Sequence, residues 1–284
     1  MAADDPDLQR AESLDRWERA AQGWGRRADR LRDSAMPVSV WMIDQLGLQP
    51  GQRVLELAAG PGDTGFLAAE LIRPGGTLVC SDGTEAMLEL ARARATTAGI
   101  ENVEFARLEL EWIDLPTASV DAVLCRWGIM LIVDPEAAAQ EIRRVLRSGG
   151  RAALAVWDSA ERNPWATIPG RALVTLGHAT PPDRDAPGMF ALSAPGRLQD
   201  LLESAGFLDV LVEAVQLDRS YAGVEPYVQE TLDLSGVFSE ALGGLSDHQR
   251  QEVIDEIASL AEPFTRADGS LLLPGRSLVA AAGA

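Results

Sequence analysis

The stretch Val54-Leu55-Glu56-Leu57-Ala58-Ala59-Gly60-Pro61-Gly62-Asp63-Thr64-Gly65 decides the fold. Val54 to Leu57 is apolar except for Glu56 and reads as a short buried strand. Gly60 and Gly62 permit backbone torsions, and a close approach of ligand, that a Cβ would block. Asp63 is a good N-cap, and Phe66, Leu67, Leu71 and Ile72 give the following helix an apolar stripe. Strand, glycine turn and helix N-terminus together form a cradle for a nucleotide-type cofactor.

Two readings of the cradle compete. Gly60, Gly62 and Gly65 satisfy the spacing G-x-G-x-x-G, and Asp82 lies 22 residues beyond Gly60, as in a dinucleotide site. Glu56 argues the other way. A carboxylate at the strand's end would repel a pyrophosphate and suits a ligand with a cationic end. S-adenosylmethionine (SAM) has an ammonium and a sulfonium and no phosphate. The acid-then-glycines pattern Glu56-x-Ala58-x-Gly60-x-Gly62 resembles motif I of the class I SAM-dependent methyltransferases. That family more often has Gly where Ala58 stands. A nicotinamide-dependent oxidoreductase is the disfavoured enzyme alternative, and a non-catalytic SAM-binding or sensor protein is the non-enzyme alternative.

Composition narrows the partners. The chain has 284 residues, 46% of them apolar, enough for a full core. Its formal net charge is −18, and all 25 basic residues are Arg. So acidic a surface disfavours nucleic acid and anionic membrane. The acidic N-terminus lacks an apolar signal core, and no run reaches membrane-spanning length. Cys80 and Cys125 each end a strand, the pattern of reduced, packed thiols in a cytoplasmic protein. No His/Asp/Cys cluster has metal-ligand spacing.

In chain order, residues 7–32 predict a polar, Arg-rich helix interrupted near Gly23 and Gly25, with Leu14, Trp17, Ala21 and Trp24 on one face. Pro37 to Leu48 predicts a second helix. Strands follow at Val54–Leu57, Thr77–Cys80, Val103–Arg107, Val120–Cys125 and Ala152–Trp157, with helices from Asp63, from Thr84 to Ala98 and from Pro135 to Leu146. This βαβ alternation implies α/β architecture with a doubly wound, mostly parallel sheet. After Trp157 come a helix at Trp165–Leu176, another ending at Ser204, a strand at Val210–Leu217, two helical segments over 223–264, and a last strand at Leu272–Ala281 broken by Pro274-Gly275. The expected plan is one domain over 1–284. It has an N-terminal helical lid (1–48), a cofactor-binding core (49–157) and helical cap insertions (158–192 and 222–265).

The family resemblance extends through Leu115-Pro116, Ser119-Val-Asp121 and Glu141-Ile-Arg-Arg144-Val-Leu146-Arg-Ser-Gly149-Gly150. It implies a seven-stranded Rossmann-like sheet with an antiparallel last strand. It also implies cofactor contacts at strand C-termini. Glu56, Ala58, Gly60 and Gly62 would hold the amino-acid end of SAM. Asp82 would accept both ribose hydroxyls, with Gly83 and Met87 beside it. Glu109 and Leu110 would meet the adenine, Glu111 being the rival acid. Arg126 and Trp127 would face the methyl group and acceptor. His178 is the candidate general base, since it lies in the insertion after the fifth strand. Trp127, Trp157 and Trp165 are the aromatic candidates for the pocket of a small, partly apolar acceptor.

Overall fold

The computed structural model describes residues 5–181 and 187–284, so the insertion expected over 158–192 lies partly outside the described residues. The first element is a single helix, α1 (Pro6–Leu46), where the sequence predicts two. Asp5 caps it by accepting from the Asp7 N–H, and Gly47 closes it in the left-handed region. The helix is not interrupted at its glycines, because they are packing points. A Cβ on Gly23 would stand 1.8 Å from the Asp233 carbonyl oxygen, and one on Gly25 would stand 3.3 Å from Leu90. Pro37 sits inside the helix, which runs on into the core through Val38, Met42, Ile43 and Leu46. Gly23→Ala is therefore expected to cost about 1–3 kcal/mol by overpacking, despite the better helix propensity of Ala. Urea unfolding measures it, and a neutral or stabilised variant would show that the two helices are not in contact there.

Then come β1 (Arg53–Leu57), α2 (Asp63–Leu71), β2 (Thr77–Asp82), α3 (Glu85–Ala98), β3 (Val103–Arg107), β4 (Val120–Arg126), α4 (Pro135–Val145) and β5 (Leu146–Trp157). The fifth strand begins at Leu146 rather than Ala152, so Ser148-Gly149-Gly150 lies inside it. Next are α5 (Pro164–Thr175), α6 (Arg197–Ser204), β6 (Leu208–Gln216), β7 (Arg219–Tyr221), α7 (Val224–Leu234), α8 (Gly236–Gly243), α9 (Asp247–Ala261), β8 (Leu271–Leu273) and β9 (Arg276–Gly283). The region over 223–264 thus holds three helices, not two. Pro274-Gly275 splits the last strand into β8 and β9.

The main sheet has the order β3-β2-β1-β4-β5-β9-β6. The first five strands are parallel, and β9 runs antiparallel to both β5 and β6. The Rossmann-like sheet with an antiparallel last strand is as the resemblance implies. The strand order reverses at β1 and β4, and open α/β sheets bind ligands outside the carboxyl ends at such a switch point. Leu57 pairs with Cys125 there, which sets the loop after β1 beside the loop after β4. Both cysteines are buried and free.

The later helices form a second layer with an apolar cluster of their own. Ile168, Leu173, Tyr227, Phe238, Leu242, Val253 and Ile257 share it with Leu271 and Leu273 of the small β7–β8 ladder. This second layer is bolted to α1 by charge. Arg26 and Arg27 both bond Asp233, and Arg30 pairs with Glu230.

Candidate active site

A cavity of about 350 Å³ opens at the carboxyl ends of β1, β2 and β4, within the size range of small-molecule sites. Its floor is the loop after β1. Ala58 adopts φ 49°, and Gly60 φ 51°. Ala58 thus holds a left-handed conformation, which costs an L-residue about 1–2 kcal/mol. A Cβ on Gly128 would come within 2.5 Å of the Ala58 Cβ, so the loops after β1 and β4 touch.

Asp82 ends β2 and lines the cavity. Its Oδ2 accepts from the Gly60 N–H at 3.0 Å, and its Oδ1 accepts from the Thr84 N–H and hydroxyl. Burial raises its pKa, and these three hydrogen bonds oppose the rise. Gly83 and Met87 continue the wall. Across the cavity, Glu109, Leu110 and Glu111 all line it. Glu111 is already engaged: both its oxygens bind the Arg10 guanidinium, at 2.8 and 3.1 Å, and it also accepts from the Asp134 N–H.

Two of the expected cofactor contacts lie elsewhere. Glu56 is buried and does not line the cavity. Its carboxylate turns under the glycine loop, where Oε1 accepts from the Gly65 N–H at 2.8 Å and so serves the N-terminus of α2. A Cβ on Gly65 would stand 2.2 Å from Oε2, so Gly65 is there to admit this carboxylate. Burial pushes the Glu56 pKa up to about 8, against the Gly65 N–H and the charge of Arg126; Asp63 and Asp82 push it further up. Gly62 caps α2 under the Phe66 ring and is likewise outside the lining.

The far half of the cavity is apolar. Trp127, Leu131 and Ile132 follow β4, and Trp17 and Trp24 reach down from α1. Trp127 has φ 60° and is held by its N–H on the Ala155 carbonyl, by its indole N–H on the Ser277 hydroxyl, and by stacking on Trp157 at 4.2 Å. Trp157 and Trp165 stand behind it and do not line the cavity; Trp165 meets Trp157 edge-on at 5.0 Å. His178 follows α5, with its N–H on the Leu173 carbonyl. It does not line the cavity either, so the expected base is not among the groups brought together.

The sequence reading missed most of the α1 contribution. Arg10, Ser13 and Arg16 line the cavity along with Leu14, Trp17 and Trp24, and Leu14 rests on Gly83. The helical spacing of Leu14, Trp17 and Trp24 was the available signal. Among the described residues no group of His, Cys, Asp and Glu is arranged to hold a metal. No described helix is long and apolar enough to cross a membrane.

Comparison with known proteins agrees with this geometry. Residues 48–178 match a family described as a methyltransferase domain. The ubiquinone/menaquinone biosynthesis C-methyltransferase UbiE of Hahella chejuensis is 34% identical over 110 residues, 38% of this chain and 44% of that protein. The chain therefore spans less than half the length of the curated relatives it matches first. Among solved structures, YcgJ from Bacillus subtilis aligns with a TM-score of 0.56 at 19% identity, covering 86% of this chain and 97% of that one. A SAM-dependent methyltransferase from Aquifex aeolicus aligns with a TM-score of 0.50 at 19% identity, over 68% and 92% of the two chains. The cradle and the strand order agree with that match: over residues 48–178 the chain is similar to the methyltransferase domain family.

Proposed function

We propose that the protein transfers a methyl group from SAM to a small, partly apolar acceptor. The observation that carries this reading is the division of one cavity into two halves. One is built from Ala58, Gly60, Asp82 and Glu109; the other from Trp17, Trp24, Trp127, Leu131 and Ile132. The polar half suits a nucleoside with a cationic tail. Asp82 presents a carboxylate, held open by Gly60 and Thr84, to a ribose diol. Because Glu111 is committed to Arg10, Glu109 is the acid we assign to the adenine amino group.

When bound, SAM supplies an electrophilic methyl on a sulfonium. The chain's own contribution is alignment and exclusion of water. Trp127, fixed by Ala155, Ser277 and Trp157, sets one wall against which the acceptor is placed. Trp17 and Trp24, in edge contact at 5.5 Å, close the roof. Of the described residues, we assign those within 1–48 to this roof and to its anchorage in the core, 49–157 to the cofactor core, and those within 158–192 and 222–265 to the cap.

SAM or S-adenosylhomocysteine should raise the melting temperature, while NAD should leave it unchanged. At a hundredfold excess over Kd the ligand contributes about 2.7 kcal/mol. Stabilisation by NAD and none by SAM would overturn the reading. Radiolabel transfer from SAM across a panel of small acceptors then tests for turnover.

A further inference from the structure

Helix α1 roofs the cavity with two flanks that meet different neighbours. One flank bears on the loops assigned to the cofactor: Arg10 holds Glu111, Leu14 rests on Gly83, and Glu18 accepts from the Ala86 N–H. The other flank bears on the cap: Arg19 pairs with Glu240, and Gly23 lies against the Asp233 carbonyl. Helical spacing puts Arg16 on this second flank, one turn before Arg19 and two before Gly23. A Cβ on Gly236 of α8 would stand 3.7 Å from the Arg16 Cγ, so the stem of Arg16 runs beside the cap. Arg16 also lines the cavity.

The other cations of the wall are already answered. Arg10 is committed to Glu111. Arg126 pairs with Asp63 at 3.9 Å, and Asp63 also binds Arg94 at 2.7 Å. Among the described residues no hydrogen bond or ion pair engages the Arg16 guanidinium. The lining assigned to the acceptor is otherwise made of Trp17, Trp24, Trp127, Leu131 and Ile132, none of them charged. Glu12, one turn earlier on α1, lines the cavity too. The sulfonium of SAM decides between the two signs, because a positive charge in the same space attracts an anionic acceptor and repels a cationic one. The field of a chain with net charge −18 opposes the entry of any anion, so such an acceptor needs a local cation at the mouth. Guanidinium is the side chain whose fork matches a carboxylate.

We propose that the acceptor is an aromatic molecule carrying a carboxylate apart from the atom that is methylated, and that Arg16 receives this carboxylate. This rests on the reading of the cavity as the site of a SAM-dependent methyltransferase. The rings of Trp17, Trp24 and Trp127 suit an aromatic body. Arg16, at the junction of roof and cap, sets which acceptor is held and in which direction it lies. It takes no part in binding the cofactor, whose loops meet the opposite flank of α1.

Calorimetric titration of the full chain, first with S-adenosylhomocysteine and then, once saturated, with three probes of one shape, tests the assignment. Benzoate, benzamide and benzylamine are anionic, neutral and cationic at neutral pH. Wild type should bind benzoate about tenfold tighter than benzamide, the lower end for a charge-assisted contact because the head of Arg16 is exposed. Benzylamine should bind weakest, and added salt should shrink the preference. Arg16→Gln should erase the preference for benzoate, and Arg16→Lys, which keeps the charge without the fork, should retain part of it. Both variants should bind S-adenosylhomocysteine as wild type does. Equal binding of benzoate and benzamide by wild type, an unchanged preference in Arg16→Gln, or no binding of any probe overturns the proposal. Tightest binding of benzylamine would give the role to Glu12, and weaker S-adenosylhomocysteine binding by Arg16→Gln would give Arg16 to the cofactor; either overturns it too. The first titration reports separately on the SAM reading. Wild type that does not bind S-adenosylhomocysteine overturns that reading and this one together, whereas wild type that binds it without selecting benzoate overturns this one alone.

Discussion

Glu230→Ala is expected to destabilise the protein by about 3–5 kcal/mol, the cost of stranding a buried charge. Glu230 of α7 is 4% exposed. It accepts from the Tyr221 hydroxyl at 2.7 Å and from Arg219 at 3.4 Å, and it pairs with Arg30 of α1. Arg219 is 6% exposed and lies 3.6 Å from the Trp165 ring centroid, so without Glu230 it keeps its charge in a buried place with only an aromatic face to answer it. Glu230→Gln retains an acceptor for Tyr221 and should lose less. Urea unfolding at neutral pH reads both variants. A loss below about 1 kcal/mol for Glu230→Ala would mean that solvent reaches Arg219.

The second large effect is a change in how stability follows pH. The Glu56 carboxyl is pushed up to about 8 from the ordinary 4.5, chiefly by burial. Between those values the folded protein holds a proton that the unfolded chain releases. The resulting stability is fully present below pH 4.5 and is lost as pH rises through 8. The span corresponds to a contribution on the order of 5 kcal/mol. Glu56→Gln cannot ionise, and its amide oxygen can still accept from Gly65. The stability of the variant relative to wild type should rise progressively from pH 4.5 to pH 8 and level off above it. Denaturation series at pH 5, 6.5 and 8 measure the divergence, and parallel curves would show that Glu56 ionises at its ordinary pH. The surrounding groups are Arg126, Asp63, Asp82 and Cys80. Cys125 also faces it, and the two thiols and Arg126 each feel the Glu56 charge.

Much of the fold was legible because its signals are local. The apolar runs at Val54–Leu57 and Val120–Cys125, the glycine turn and the alternation of strand and helix each depend on a few neighbouring residues. So did the placement of Asp82, Gly83, Glu109 and Trp127 at strand ends, where the chain must emerge beside the switch point. What escaped depends on partners distant in sequence. Gly23 and Gly25 read as helix breaks until Asp233 and Leu90 are seen against them. Pro37 read as a start, but tertiary packing carries α1 across it. A strand of three residues, such as β7, leaves too short a pattern to notice. Glu56 was correctly put at the end of β1, but side-chain direction is not written in the local sequence. Only the absence of a Cβ at Gly65 lets the carboxylate pass beneath the loop. The cluster of Asp63, Arg94 and Arg126 draws on three separate βα units, and no spacing rule connects them.

Helix α1 has one further consequence. At 41 residues it is a rod of about 60 Å. Its first third roofs the cavity, its middle is riveted to α7, and its last turns are sunk in the core. A roof made this way has no travel of its own. To widen the mouth, the rod must either unwind ahead of Gly23 or pivot, and pivoting drags Asp233 and Glu230 with it. The first movement breaks the Arg10–Glu111 clasp and leaves the rivets whole; the second shears the rivets. Gly23, which bears on the Asp233 carbonyl, marks the point of the rod beyond which the rivets begin.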